Sequence, residues 1–490
     1  MAQLGALCIS NLCATKPIIM KSSSIELLAP SEIIDKSIQK KAWVITGLLI
    51  IFQMINFADK AVLGLVAEPA MQELSLSGSQ FGFIGSAFFF LFAISAILVG
   101  FIAMRVQTRW LIFFMGVAWA VLMFPMLWGG AALLLISRIL LGAAEGPATP
   151  ITLQHVHGWY EPKERGLPSS LVAIGSTLGP IIAAPILAWI IAHPNYGWRW
   201  AFGFLGIIGL IWTSLWFFVA KEGPYSHIRS EKELSRPLTK RLDANNKQSI
   251  VDLCDDLTPI PMAKIFFSPM FIVAFLAGAG CFWAMGFLTT WAPRYLSAVV
   301  NVTPESLGVL VTLPWICGAL VLFLAGVLSR KLMAQGRSVH VSLGVLLGII
   351  LITSGVLFQI LPFLNGETAV AVLIFAAGFA MTFPLVPTAV AYSVCSKQRA
   401  VVMATLTALA SCGGMVSPIM VGILMDTAGY IQPKKSEPLL PEMMNHLLTG
   451  MNIGFQYIGL YLLIIGIAAV IFLNPDKTAK SLQNLINIKS

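Results

Sequence analysis

Apolar residues fall into long runs separated by short polar links. The runs lie near 43–66, 80–103, 110–129, 131–153, 168–192 and 200–220, and again near 268–291, 307–329, 340–362, 369–392, 400–424 and 453–473. A helix needs about twenty such residues to cross a bilayer, so each run predicts one membrane span. Between the two sets of six lies the longest hydrophilic stretch of the chain, roughly Lys221 to Lys264, with the segment SHIRSEKELSRPLTKRLDANNKQ. The predicted fold is all-α, with twelve transmembrane helices in two pseudo-symmetric six-helix bundles. The predicted boundaries are a cytoplasmic tail over 1–40, a first bundle over 41–221, a central loop over 222–265, a second bundle over 266–475 and a tail over 476–490. The linker Tyr430–Met451 is long for its position and is predicted to carry a short surface helix.

Composition removes the soluble alternatives. Hydrophobic residues make up 57% of the chain and charged residues 11%, and the mean hydropathy is +0.84. A water-soluble domain carries about 25% charged residues. No nucleotide-binding loop, metal cluster or nucleophile–base constellation is present, so no enzyme and no cofactor are expected. The net charge of +9 does not point to nucleic acid, because basic residues sit singly or in pairs at the ends of apolar runs. With the N-terminus inside, four of the 31 Lys and Arg fall outside, namely Arg199, Arg294, Lys434 and Lys435. Lys60 and Arg138 fall within spans and the rest fall inside. The positive-inside rule therefore predicts a multi-pass protein of the cell inner membrane with both termini cytoplasmic. The first 40 residues contain no cleavable signal. The seven scattered cysteines form no CxxC pair and read as small buried hydrophobes.

Four charges stand where a membrane does not tolerate them. The first run reads INFADKAVLGL and holds Asp59 and Lys60; the fourth reads SRILLGAAEGPATP and holds Arg138 and Glu145. Each charge at mid-bilayer costs roughly 2.5–3.5 kcal/mol, and four together about 10 kcal/mol or more unless paired or hydrated. Arg138 and Glu145 are two helical turns apart and share a face; Asp59 and Lys60 diverge by about 100°. Two ion pairs, Asp59 with Arg138 and Lys60 with Glu145, would hold the bundle together, and the same groups would serve anion–proton coupling. A substrate anion that neutralises Lys60 or Arg138 would leave the neighbouring carboxylate readier to bind a proton.

Other features are less pointed. Gly175 and Gly179, followed by Pro180, predict a close helix crossing. His155 and His157 are placed at a membrane interface. Trp283, Trp291, Tyr295 and Trp315 read as belt or pocket wall, with Trp291 and Tyr295 in the belt.

At this point the chain resembles the major facilitator superfamily and, within it, the anion:cation symporter family of sugar-acid and aromatic-acid carriers. The resemblance runs from about Trp43 to Pro475. It rests on Asp59-Lys60 in place of an Asp-Arg pair, on SRILLGAAEGP, HGWYEPKERG, YGWRWAFGFLGIIGLIW and WAPRYL, and on their order. It implies that Asp59 and Glu145 carry protons, that Lys60 binds a substrate carboxylate, and that a midplane site alternates access by a rocker switch. Departures are Met104 and Arg330 where cytoplasmic acids are expected, and Phe57 and Phe92 where tyrosines are common.

The expected activity is proton-coupled uptake of a small organic anion by a monomer in the lipid bilayer. The expected substrate site is Lys60, Arg138, Phe57, Phe92, Ser176 and Ser411. The substitution of phenylalanines suggests a carboxylate with an apolar or aromatic body. The alternative is a proton antiporter exporting a drug or metabolite, since Gly175-x3-Gly179-Pro180 partly resembles an antiporter motif. Sodium coupling is also compatible with the sequence.

Overall fold

The computed structural model describes residues 30–103, 105–161, 164–226, 260–300, 302–433 and 440–487. Met104, Lys434, Lys435, Cys8, Cys13, Cys254, most of the amino-terminal tail and most of the central loop lie outside the described residues. Two units are distinguished, Met1–Lys41 and Ala42–Ser490. The described part of the first is helical and includes the first turn of the first span; the contacts below concern the second.

Among the described residues, twelve helices are long and apolar enough to cross a membrane. We number them as spans 1 to 12: Ile38–Leu65, Gly78–Ile102, Thr108–Leu127, Ala131–His157, Gly166–Ala192, Trp198–Val219, Pro269–Thr290, Pro304–Ala334, His340–Phe363, Gly366–Ala391, Val401–Thr427 and Pro441–Phe472. No strand occurs among the described residues. This is the predicted all-α fold, six spans on each side of the central polar stretch. Span 12 starts at Pro441, a dozen residues before its apolar run, so the polar linker after span 11 is shorter than the sequence suggests. Helical backbone satisfies its own polar groups, which is what a bilayer requires. Large apolar side chains such as Phe114, Ile211, Phe218, Phe323 and Leu324 point outward and stay exposed, as lipid-facing positions should.

Several spans break where the sequence demands it. Span 4 is two helices, Ala131–Glu145 and Ala148–His157, parted at Gly146-Pro147, because proline lacks the donor to continue the ladder. Backbones also approach closely at small residues. A Cβ on Gly142 would lie 1.7 Å from the Phe88 carbonyl oxygen, and one on Gly146 would lie 2.1 Å from that of Phe92. These two glycines let span 4 press against span 2 beside Glu145. Gly175 and Gly179 meet the carbonyls of Ile50 and Met54 in the same way, the close crossing of spans 5 and 1 that the sequence predicts.

Two aromatic residues and a histidine depart from expectation. Trp291 and Tyr295 are buried rather than at an interface; the Trp291 indole donates to the Pro418 carbonyl at 2.9 Å. Just beyond span 7, burial pushes the Tyr295 phenol above its usual range. His155 is also buried, with Nδ1 2.8 Å from the Thr108 hydroxyl and 3.8 Å from Glu222. Glu222 in turn accepts from the Arg109 amide at 2.9 Å, capping the start of span 3.

Candidate functional site

The four intramembrane charges are all withdrawn from the surface. Relative exposures are 1% for Asp59, 7% for Lys60, 2% for Arg138 and 1% for Glu145. Spans 1 and 4 bring them together because their charged faces turn toward each other rather than toward lipid. The Lys60 ammonium forms an ion pair with Glu145. It also donates to the Asn56 side-chain oxygen at 2.7 Å and to the Asn56 carbonyl at 3.3 Å. Asn56 stands one helical turn before Lys60, so the helix itself sets that contact. Two ring faces complete the surroundings: Lys60 Nζ lies 4.5 Å from the centroid of Phe57 and 5.5 Å from that of Phe88.

The second expected ion pair is absent. Arg138 donates from a terminal nitrogen to the Asp59 backbone carbonyl at 3.2 Å, not to its carboxylate. Its guanidinium lies 5.5 Å over the Phe202 ring. Asp59 Oδ1, Arg138 Nε and Glu145 Oε1 are buried and have no hydrogen-bond partner among the described residues. A half-satisfied charged cluster is costly in an apolar span; the bare carboxylate oxygens are open to a proton or a donor, and the bare Arg138 Nε–H to an acceptor.

Lys60 and Arg138 line one small cavity, of about 10 Å³, with Phe88 and Phe89 from the first half and Met285, Thr289 and Thr290 from the second. That is room for about one water. Phe57 is not among its lining residues; it covers Lys60 and meets Trp315 of span 8 edge-on at 6.2 Å. Phe92 packs against Phe88 at 5.6 Å and Phe89 at 6.0 Å, a layer away. Ser176 donates to its own helix at Ala173. Ser411 is fully buried and donates to Ala408 at 2.7 Å. Neither serine is among the residues lining the cavity. Asn56 was not among the expected site residues, although its spacing of one helical turn from Lys60 carries a signal. Nor were Phe88, Thr289 and Thr290, for which only the packing of spans 2 and 7 gives a signal. Among the described residues no cluster of His, Cys, Asp or Glu could hold a metal ion.

Known proteins place these features. The sequence profile of the Major Facilitator Superfamily matches residues 49–418. A probable sulfoacetate transporter of Cupriavidus necator is 26% identical over 450 residues, 90% of this chain and 96% of that protein. The probable galactarate/D-glucarate transporter of Escherichia coli is 28% identical over 378 residues, covering 72% and 82%. The hexuronate transporter of Bacillus subtilis is 29% identical over 277 residues, covering 56% and 61%. Among solved structures, a bacterial homologue of the human lysosomal transporter spinster, inward-facing and unoccupied, superposes with a TM-score of 0.70 at 17% identity, covering 90% and 98%. A D-xylose–proton symporter does so at 0.63 and 14%, covering 89% and 99%. The spans therefore form the two six-helix bundles of that fold, and the protein is a multi-pass membrane transporter, not an enzyme. The chain belongs to the Major Facilitator Superfamily and stands with its transporters of organic-acid anions.

Proposed function

We propose that the protein imports a small organic anion together with protons, by alternating access across the cell inner membrane, with both termini cytoplasmic. The observation that carries this reading is the Lys60 cluster: a cation held by a buried carboxylate, beside a second cation and a bare carboxylate oxygen, on the cavity between the halves. When the halves part and this one-water cavity widens, a substrate carboxylate takes Lys60 and Arg138 as its partners. Glu145 then loses its counter-ion and binds a proton, and Asp59, already without a partner on Oδ1, does the same. Binding of anion and proton thus favour each other, and by linkage the effect is reciprocal. Lys60 acts as a point charge that holds one carboxylate without demanding planar geometry.

The body carrying the carboxylate is proposed to be apolar. Phe57 and Phe88 offer ring faces and no hydrogen bonds, and each buried sugar hydroxyl left unpartnered costs about 1–3 kcal/mol.

Proteoliposomes with an imposed proton gradient test both statements. An aromatic monocarboxylate should accumulate and a hexonate should not. Glu145→Gln and Asp59→Asn should abolish gradient-driven accumulation while keeping counterflow exchange. Accumulation by both variants would remove the proton role, and gradient-driven transport of the hexonate alone would remove the apolar-body reading. Loss of substrate on imposing the gradient would favour export by antiport instead.

A further inference from the structure

At the end of the bundles where span 2 begins and span 11 finishes, the two halves are joined by polar contacts that the cation site does not use. Span 2 starts with a capping box. Ser77 Oγ accepts from the Gln80 amide at 3.3 Å, and Gln80 Oε1 accepts from the Ser77 amide at 3.0 Å. That satisfies two of the helix's four orphan donors and leaves those of Gly78 and Ser79. Both are taken by the other half. Asp426, at the end of span 11, accepts from the Gly78 amide through Oδ1 and from the Ser79 amide through Oδ2, each at 2.9 Å. The negative carboxylate also meets the positive end of the helix dipole.

Two further layers follow along the same pair of spans. A Cβ on Gly82 would lie 2.2 Å from the Pro418 carbonyl oxygen, and one on Gly422 would lie 2.1 Å from that of Gly78. Ser86 then enters the span 11 ladder at Pro418: its hydroxyl donates to the Met415 carbonyl at 2.6 Å and accepts from the Ile419 amide at 3.1 Å. At the same end, Glu68, just past span 1, forms an ion pair with Arg294, just past span 7. Arg294 also donates to the Tyr430 hydroxyl at 3.2 Å, and Tyr430 donates to Gln432. Burial pushes the Tyr430 phenol up, so it remains a neutral donor.

From these contacts we propose that Asp426 is a latch that holds this end of the transport pathway shut, with the Glu68–Arg294–Tyr430 contact as its second point. The element it biases is the amino end of span 2. With the halves together, the Gly78 and Ser79 amides are satisfied by Asp426; with the halves apart, they must turn to water. The same carboxylate thus has a partner in one state and none in the other, which is what a two-state device needs. The latch sets how often the cavity of Lys60 opens toward the Asp426 end, and so the rate of the cycle, without touching substrate.

The test is labelling with a membrane-impermeant maleimide, in a background with the native cysteines replaced by alanine. Leu63→Cys, at a lining position of the Lys60 cavity, reports access to it, and Thr149→Cys, at an exposed position in the second helix of span 4 whose hydroxyl accepts from Gln53 of span 1 at 3.0 Å, is the comparison for access from the other end. Asp426→Asn, which keeps one acceptor, and Asp426→Ala should speed labelling at position 63 in that order, the alanine by about tenfold, the factor produced by about 1.4 kcal/mol. Labelling at position 149 should fall in step. Glu68→Arg and Arg294→Glu should each speed labelling at 63, and together they should restore the slow rate. Unchanged rates at position 63 in Asp426→Ala overturn the proposal. So does a rise at both positions, which would mean loosened packing rather than a shifted equilibrium.

Discussion

Lys60 has three kinds of partner, and they contribute unequally. Glu145 neutralises it, Asn56 orients it, and the rings of Phe57 and Phe88 shield it. Removing the orienting group leaves a buried donor without one acceptor, at a cost of about 1–3 kcal/mol. Asn56→Ala is therefore expected to raise the KM for substrate counterflow about tenfold with folding intact. An unchanged KM would show that Glu145 alone positions the ammonium. At this scale the sequence was informative about charge and silent about pairing. A charge in an apolar run announces itself whatever its neighbours, so Asp59, Lys60, Arg138 and Glu145 were all legible. Which carboxylate takes which cation depends on rotations of spans 1 and 4 that no periodicity records. That is why Lys60–Glu145 appears as expected while Arg138 takes the Asp59 carbonyl instead of its side chain. Ser411 illustrates the other limit, since a small hydroxyl on a helix can turn back to its own backbone.

The spans themselves were the most legible feature, because twenty apolar residues leave few alternatives to a crossing helix. Their breaks and contacts were less so. The fourth run gave no expectation of a break, yet its helix stops at Glu145 and restarts at Ala148, across Gly146-Pro147. Glycine positions differ in consequence for the same reason. Gly142 has no room for a methyl group, whereas Gly47 on span 1 has nothing within 4 Å of a built Cβ. Gly142→Ala should lower stability by about 1–3 kcal/mol through overpacking, while Gly47→Ala should be neutral or stabilising by up to about 1 kcal/mol through helix propensity. Thermal unfolding in detergent compares the two directly. Equal midpoints would mean that spans 2 and 4 can slide apart at little cost.

At the scale of the whole molecule, orientation rests on the sequence alone: basic residues gather at one end of the spans. A reporter fused at the C-terminus is expected on the cytoplasmic side, which would place the Asp426 end outside; a periplasmic signal would reverse both assignments. The tight backbone contacts also affect how the protein responds to random change. In a saturation screen for growth on the transported acid, the harshest losses should fall at Gly142, Gly146, Gly179, Gly82 and Gly422, none of which would touch substrate. Ser176, which bonds only to its own helix, should tolerate many replacements. A map of intolerant positions would then trace the seams between helices, and the substrate site would emerge only from screening the same variants on a second acid and looking for positions whose rank changes.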